Sequence, residues 1–197
     1  DGAVVACVYI CDQGEYWLHD IAWLRTIDPQ KHGHDGQAQS VWRDEASQLC
    51  DQVAEFMVRN HLPSLRVETN GIGRFLPNIL RRALKQIGWA ASVVEHYETT
   101  HKATRIEDAF GAVMGAGLLH VHQAVGKTPF LRQMREWHPD GSKSDHGFGK
   151  GQDDGLDAVA GCILSEPVRL PRVDLPLKRA DWRANSGIFH AQKRFNP

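Results

Sequence analysis

Apolar residues follow two different periods along this chain, and the change from one period to the other predicts the order of strands and helices. The chain opens with a β-branched, apolar run over residues 3–10, AVVACVYI. A DQGE turn then leads into YWLHDIAWL over residues 16–24. Two such runs flanking a short turn are typical of a β-hairpin, so we predict two antiparallel strands at the start of the domain.

A helix, a strand, a helix and a strand are predicted next, after a loop over residues 28–38. Apolar residues recur at helical spacing between residues 40 and 60, at Val41, Ala46, Leu49, Val53, Phe56 and Met57. The run SLRVET predicts a strand, which an Asn-Gly turn connects to a helix over residues 73–88 with Gly88 as its C-terminal cap. The run AASVVEHY, residues 90–97, predicts a further strand.

The second half of the chain predicts three helices and one short strand. A helix weakened by glycines covers residues 105–119, HVH is a brief strand, and a helix opened by proline covers residues 129–137. After a polar, Gly-rich loop over residues 138–152, the run DDGLDAVAGCIL predicts an amphipathic helix. Its expected buried side comprises Leu156, Val159, Ala160 and Ile163. Because strands alternate with helices after the hairpin, the expected fold class is α/β, a mixed β-sheet flanked by helices.

Composition changes character near residue 165. Residues 166–197 are rich in Pro and Arg and hold seven Lys/Arg against three Asp/Glu, whereas the whole chain has a net charge of −1. Residues 1–165 are therefore acidic, with a net charge of −5. We expect one domain over residues 1–165 and an extended C-terminal tail over residues 166–197. An acidic body can still bind DNA if its carboxylates hold divalent cations and basic side chains line the approach. The alternative, which charge alone favours, is a solvated surface with a basic tail.

Length and composition are those of an ordinary soluble globular domain, with 197 residues, 42% hydrophobic and 24% charged. The sequence has no apolar run long enough to cross a bilayer and no signal-peptide pattern, so we expect no membrane association and no secretion. The four cysteines form no CxxC pair, which gives no indication of a zinc site or a disulfide framework. A reducing, intracellular setting is the expectation.

Three aspartates at the start of the last predicted helix are the first candidates for chemistry. Asp153 and Asp157 are four residues apart and so share a helix face, with Asp154 beside them. Carboxylates that face the same way repel each other unless a cation lies between them or one takes a proton. Helix capping by Asp153 is the alternative, since aspartate is common at helix N-termini.

Glu68 is the second candidate, at the end of the strand in VETNG. A solvated strand end is the alternative; a dinucleotide-binding loop is weakly supported, because GIGRFL lacks the third glycine. A carboxylate at a strand's C-terminal end can converge with carboxylates at a helix start above an α/β sheet. Such hard oxygen ligands suit Mg²⁺ or Mn²⁺, and two such ions can hydrolyse a phosphodiester.

The order hairpin, helix, VETNG, helix, strand, HKATRIEDA and DDGLDAVA resembles the C-terminal nuclease domain of bacteriophage large terminase subunits, which has an RNase H-like fold. The resemblance covers roughly residues 1–165. It implies that Glu68 is the second catalytic carboxylate and Asp153 the third, with Asp154 and Asp157 as auxiliary metal ligands and Asp157 also a catalytic candidate. The family's first aspartate lies on the first strand. Asp1 matches either that ligand or a later Asp of the motif, in which case the first ligand lies upstream of residue 1.

The resemblance also extends to basic residues and partners. Lys102 and Arg105 in HKATRIED are similar to a Lys/Arg pair of the family and are expected to position the phosphate. Further candidates for contacts with double-stranded DNA are Arg81, Arg82, Lys85, Lys143 and Lys150. For Arg81, Arg82 and Lys85 the solvent face of a helix is an equally good explanation. No P-loop lysine motif is present in the sequence, so a complete packaging motor would add an ATPase domain, a portal or procapsid and a small terminase subunit. The Pro/Arg-rich tail is expected to contact the portal or the procapsid.

Three histidines add alternatives. His120 and His122 in HVH point to the same side of a strand, which suits either metal binding or a strand edge near the surface. His146 lies in the loop before Asp153, where it either approaches substrate phosphates or is solvated.

The leading prediction is thus a Mg²⁺- or Mn²⁺-dependent endonuclease that acts in the host cytoplasm during viral DNA packaging. Another RNase H-like nuclease, such as a resolvase or transposase core, and a non-catalytic docking domain are the rivals. The prediction requires Glu68 and Asp153 to meet in the fold.

Overall fold

The computed structural model describes residues 3–26, 44–139 and 153–165 of the chain. The five strands in these ranges are β1 (Val4–Ile10), β2 (Tyr16–Trp23), β3 (Ser64–Glu68), β4 (Ser92–His96) and β5 (Leu119–Val121). The helices are α1 (Glu45–Arg59), α2 (Leu76–Gln86), α3 (Lys102–Gly115), α4 (Phe130–Glu136) and α5 (Asp154–Leu164), with short 3₁₀ helices at Gly71–Phe75 and Val125–Lys127. The predicted loop over residues 28–38, nearly all of the loop over 138–152 and the tail over 166–197 lie outside the described residues.

The strands form a mixed sheet and a separate pair. β1 and β2 are the predicted antiparallel hairpin, with an irregularity between Cys7 and Val8, and β5 pairs parallel with β2. β3 pairs parallel with β4, from Ser64 opposite Ser92 to Glu68 opposite His96. The α/β class with a mixed sheet and flanking helices is confirmed, but within the described ranges the strands are hydrogen-bonded as two sheets rather than one.

Most predicted helices are present with shifted ends. α1 begins at Glu45, where the Asp44 carboxylate accepts a hydrogen bond from the Ser47 N–H at 3.0 Å and so caps the helix. Gly88 has the predicted capping role after α2, since its φ is +71° and its N–H donates to the Lys85 carbonyl. α3 begins at Lys102, three residues before the predicted start. Lys102 and Arg105 are therefore one turn apart on the same helix.

Two main apolar clusters hold the helices against the strands. The larger one packs α3 and α5 over the mixed sheet and includes Tyr16, Leu18, Ile106, Val113, Phe130 and Val159. The predicted buried side of α5 (Leu156, Val159, Ala160 and Ile163) is confirmed, because all four residues are buried in this cluster. The second cluster packs α1 and α2 over β3 and β4. A small group of Val5, Cys7 and Phe56, with Leu65 against it, joins β1 to β3.

All four cysteines are free thiols. In the ranges 3–26, 44–139 and 153–165, no helix has the length and apolar character required to span a bilayer.

Candidate active site

Glu68 ends β3, and the residues after it tie the ends of β3 and β4 together. The Thr69 N–H donates to the His96 carbonyl at 2.8 Å, which continues the pairing of the two strands by one residue. The Asn70 side chain then bonds the backbone of Glu98 in both directions: its Nδ2 donates to the Glu98 carbonyl at 2.8 Å, and its Oδ1 accepts from the Glu98 N–H at 2.9 Å. The asparagine in VETNG therefore fixes Glu98 beside Glu68.

The glycines that follow Glu68 allow the chain to turn back on it. Gly71 has φ +56°, a conformation that side chains with a Cβ rarely adopt. A Cβ added at Gly73 would lie 2.6 Å from the backbone oxygen of Glu68, so only glycine allows the 3₁₀ helix to pack this closely. Gly71 and Gly73 are therefore explained by the backbone conformation and close packing next to Glu68.

Arg105 brings together carboxylates from three parts of the fold. Its side chain is only 7% exposed, and its guanidinium donates to Asp157 Oδ1 through both Nε, at 2.8 Å, and Nη2. Nη1 lies 3.1 Å from Glu98 Oε2, and Nη2 lies 3.6 Å from Glu68 Oε2. Burial lowers the pKa of Arg105, but Asp157, Glu98 and Glu68 outweigh it and raise the pKa above its usual value. Arg105 therefore stays charged.

Lys102, one turn earlier on α3, binds the start of α5. Its Nζ lies 2.5 Å from Asp153 Oδ1 and 3.0 Å from Asp154 Oδ1. Burial lowers the pKa of Lys102, but the two carboxylates outweigh burial and raise the pKa overall. Lys102 therefore connects α3 to Asp153 and Asp154 at the start of α5, and Arg105 connects α3 to Asp157 one turn later.

Asp153 is the N-terminal cap residue of α5 by position, but not through its side chain. Its carboxylate makes no capping hydrogen bond in the described part of the chain, whereas its backbone oxygen accepts from the Asp157 N–H at 2.9 Å. Helix capping, the alternative explanation for this aspartate, therefore does not account for its carboxylate, which binds Lys102 instead.

Glu98 is the acidic residue of this site that the sequence analysis missed. Its side chain is 14% exposed and accepts hydrogen bonds from the N–H groups of Thr99 and Thr100. The Thr100 N–H, with His96 and Arg105, outweighs burial and lowers the pKa of Glu98 to about 2. Its position just after β4, beside the end of a parallel neighbouring strand, is the signal that could have identified it.

We call the five carboxylates around the two cations the acidic cluster: Glu68, Glu98, Asp153, Asp154 and Asp157. Within the described residues, the Lys and Arg side chains that pair with them are Lys102 and Arg105, so carboxylates outnumber these cations. All five offer hard oxygen atoms, the donors that Mg²⁺ and Mn²⁺ prefer, and a negative surplus favours a bound cation. The donor chemistry and charge thus fit a divalent ion. Among the described residues, however, no group of three acidic, His or Cys side chains is already arranged to hold one.

The other predicted basic residues are spread over the molecule. Arg81 pairs with Glu95 at 2.8 Å and donates to the Val93 carbonyl at 3.0 Å, which braces α2 against β4. Arg82 and Lys85 are exposed on α2. Asp1, Lys143, Lys150 and His146 lie outside the described residues.

The two histidines of HVH lie at the edge of the mixed sheet among other rings. The His120 ring stacks on Trp17 with centroids 4.3 Å apart, and its Nε2 lies 3.6 Å from Glu15 Oε2. The His122 ring lies 5.2 Å from that of His19. This arrangement agrees with the strand-edge alternative for both residues.

A comparison of the chain with models of known protein families found no match, and a search among curated proteins found none either.

Proposed function

We propose that this chain is a metal-dependent endonuclease domain with an RNase H-like fold, which cuts double-stranded DNA during the packaging of a viral genome. The observation that carries the proposal is that Arg105 lies 3.6 Å from Glu68 and binds Asp157, while Lys102, one turn away on α3, binds Asp153 at the start of α5. Residues far apart in the chain gather here with a surplus of negative charge. Carboxylates held close together repel one another, which destabilises the fold unless cations are bound among them.

Glu68 and Asp153 would hold the metal ions, with Asp154 and Asp157 as further ligands and Asp1 as a candidate outside the described residues. When bound, Mg²⁺ or Mn²⁺ supplies the Lewis acidity that phosphodiester hydrolysis requires. The Glu68 side chain is 49% exposed, which leaves its oxygens accessible from solvent. Asp153 is 31% exposed and is accessible in the same way.

In this proposal Lys102 binds the scissile phosphate and Arg105 supports the site through its charge. Lys102 is 35% exposed, so its ammonium can exchange a carboxylate for a phosphate oxygen when DNA arrives. Arg105 is buried and held by Glu98 and Asp157, so it contributes a fixed positive charge next to the proposed metal ligands. Arg82 and Lys85 on α2, with Lys143 and Lys150, contribute contacts to the DNA backbone that carry no sequence information. Arg81 contributes less, because Glu95 already pairs with it.

The assignment to a terminase rests on the order of the motifs along the sequence. The hairpin of β1 and β2, the parallel pair β3 and β4, and the packing of α5 on the mixed sheet are compatible with an RNase H-like arrangement. In a full motor, the domain acts beside an ATPase domain, a portal or procapsid and a small terminase subunit. A resolvase or transposase core would share the same site chemistry, and it differs in preferring branched or transposon-end DNA over linear duplex.

Plasmid cleavage tests the proposal. The parent chain in Mn²⁺ is expected to nick and linearise supercoiled plasmid, and Glu68→Ala and Asp153→Ala are expected to reduce the rate at least about 100-fold, since metal ligands are removed. Glu107→Ala removes an exposed carboxylate on α3 outside the acidic cluster and is the matched control, with an unchanged rate expected. Equal rates for the parent and both ligand variants would remove the catalytic assignment. A strong preference for four-way junctions over linear duplex would favour the resolvase alternative.

A non-catalytic docking domain is the second candidate, and one observation favours it. Lys102 and Arg105 already neutralise part of the acidic cluster, so the ion pairs alone can hold α3, α5 and β3 together. In that case the parent neither binds Mn²⁺ nor cuts plasmid, and Glu68→Ala affects stability alone.

A further inference from the structure

The first turn of α5 is capped from outside the helix. The Gly155 N–H donates to the Oε1 of Gln133, a residue of α4, at 3.1 Å. Gln133 is only 5% exposed, although glutamine is ordinarily a surface residue. A side chain from a neighbouring helix thus satisfies an N–H group that the residue at the cap position commonly serves.

Close packing holds this contact in place. A Cβ added at Gly155 would lie 2.5 Å from Gln133 Oε1 and 2.8 Å from the Trp23 ring. Gly155 is therefore required for the approach of α4 and of β2, on which Trp23 lies. The sequence DDGLD places the glycine between the aspartates of the acidic cluster, so the contact acts within one residue of Asp154 and two of Asp153.

The orientation of the Gln133 amide follows from its partner. Only the oxygen can accept from the Gly155 N–H, which leaves Nε2 on the other side. Nε2 is buried and has no hydrogen-bond partner among the residues that the structure describes. A buried amide with one end unsatisfied is unfavourable for stability. The burial of Gln133 is therefore better explained by the hydrogen bond that its oxygen accepts from the Gly155 N–H of α5.

We propose that Gln133 is a positioning residue, which caps α5 from α4 and thereby leaves the Asp153 carboxylate free to face Lys102 and a metal ion. The inference rests on the proposed function, because it assigns Gln133 a role toward the metal ligands. A carboxylate that capped its own helix would turn toward the Gly155 or Leu156 N–H and away from Lys102. Gln133 makes that rotation unnecessary, and it supports a ligand without contacting the metal itself.

Three variants test this role in the full chain. Gln133→Met keeps the length and packing of the side chain but removes the accepting oxygen. Gln133→Glu keeps an accepting oxygen but replaces the unsatisfied NH₂ group with a second oxygen, so it also introduces a carboxyl group beside the acidic cluster. Gln52→Met is the matched control. The Gln52 side chain also bonds backbone groups, since it accepts from the Arg25 N–H at 3.1 Å and donates to the Arg25 carbonyl at 2.7 Å, but it lies on α1 and not in the acidic cluster.

The readouts are Mn²⁺ affinity by titration calorimetry and exchange of the Gly155 amide by NMR. Gln133→Met is expected to lower Mn²⁺ affinity by about tenfold, the lower end of the range for residues that orient metal ligands, and to accelerate Gly155 exchange. Gln133→Glu, which still accepts from the Gly155 N–H, is expected to keep Gly155 exchange close to that of the parent, and Gln52→Met is expected to leave both Mn²⁺ affinity and Gly155 exchange unchanged.

The outcomes separate the two proposals. Parental Mn²⁺ affinity in a folded Gln133→Met variant overturns the positioning role and leaves the proposed function intact. Unchanged Gly155 exchange in that variant overturns the capping role, and this readout needs no metal. If the parent binds no Mn²⁺, the proposed function and the inference that rests on it both fail.

Discussion

Glu68 and Asp157 share the guanidinium group of Arg105: Nη2 lies 3.6 Å from Glu68 Oε2 and also donates to Asp157 Oδ1. One residue ends a β-strand and the other lies in the first turn of the last described helix. Arg105, a single buried cation on α3, thus links the end of β3 to the first turn of α5. The stability of the domain and the arrangement of the proposed metal ligands therefore depend on the same side chain.

Removal of the Arg105 charge should destabilise the fold strongly. Arg105→Met leaves Glu98 and Asp157 without their buried partner, and a loss of about 3–5 kcal/mol in the free energy of unfolding is expected. Arg81→Met is the control, since the Arg81–Glu95 pair is exposed on both sides (44% and 52%) and should cost less than about 1 kcal/mol. Urea denaturation followed by circular dichroism measures both. Similar losses in the two variants would contradict a central role for Arg105.

Acid should weaken the fold through Glu98. Its pKa is lowered from 4.5 to about 2 in the folded chain, so the unfolded chain takes up the proton first as the pH falls. The stabilisation is complete above the unfolded pKa and is lost as the pH falls from about 4.5 toward 2. In Glu98→Gln, the unfolding free energy should therefore depend less on pH in that interval. Denaturant titrations of parent and variant between pH 5.5 and 2.5 measure the difference, and parallel pH curves would contradict the assignment.

Lys102 should compete with metal ions for Asp153 and Asp154. In Lys102→Met the local positive charge is removed, and Mn²⁺ affinity is expected to rise by about tenfold or more. Plasmid cleavage should nevertheless slow, because the proposed phosphate contact is lost. Calorimetric titration with Mn²⁺ and a cleavage assay at saturating Mn²⁺ separate the two effects. Lys127→Met, an exposed lysine after β5, is the control and should change neither. A fall in Mn²⁺ affinity would show that Lys102 assists binding rather than competing.

Gly73 should tolerate no side chain. The Cβ introduced by Gly73→Ala would meet the Glu68 backbone oxygen at 2.6 Å, and a loss of about 1–3 kcal/mol in unfolding free energy is expected. Gly111→Ala is the opposite case: the added Cβ meets nothing within 4 Å in the middle of α3, so a gain of about 0.5–1 kcal/mol is expected. Thermal unfolding of both variants tests the pair, and a stable Gly73→Ala variant would contradict the close approach to Glu68.

The hairpin and the helices were predictable because their signals are local. The apolar, β-branched run and its partner across the turn predicted β1 and β2. The spacing of Leu156, Val159, Ala160 and Ile163 predicted the buried face of α5 without any knowledge of tertiary contacts. Errors fell at the ends of elements. The start of α3 was placed at Arg105 rather than Lys102, because no capping side chain marks His101 as the boundary.

The acidic cluster was predictable only in part. Glu68 and Asp153 were selected because carboxylates at a strand end and at a helix start can converge, and the structure places both within reach of cations on α3. Glu98 and Gln133 were missed. Neither stands in a motif, and each gains its role from a partner that is distant in the sequence: Arg105 and Asn70 for Glu98, and Gly155 for Gln133.

The sequence by itself determined the kinds of element, their order and the buried face of α5, because periodicity and turn residues act over a few neighbouring positions. The tertiary structure decided how the carboxylates are shared between Lys102 and Arg105, and which residue caps α5. Those pairings depend on how helices pack over strands. Packing places side chains from distant segments within 3–4 Å of one another, and no local pattern encodes such a distance.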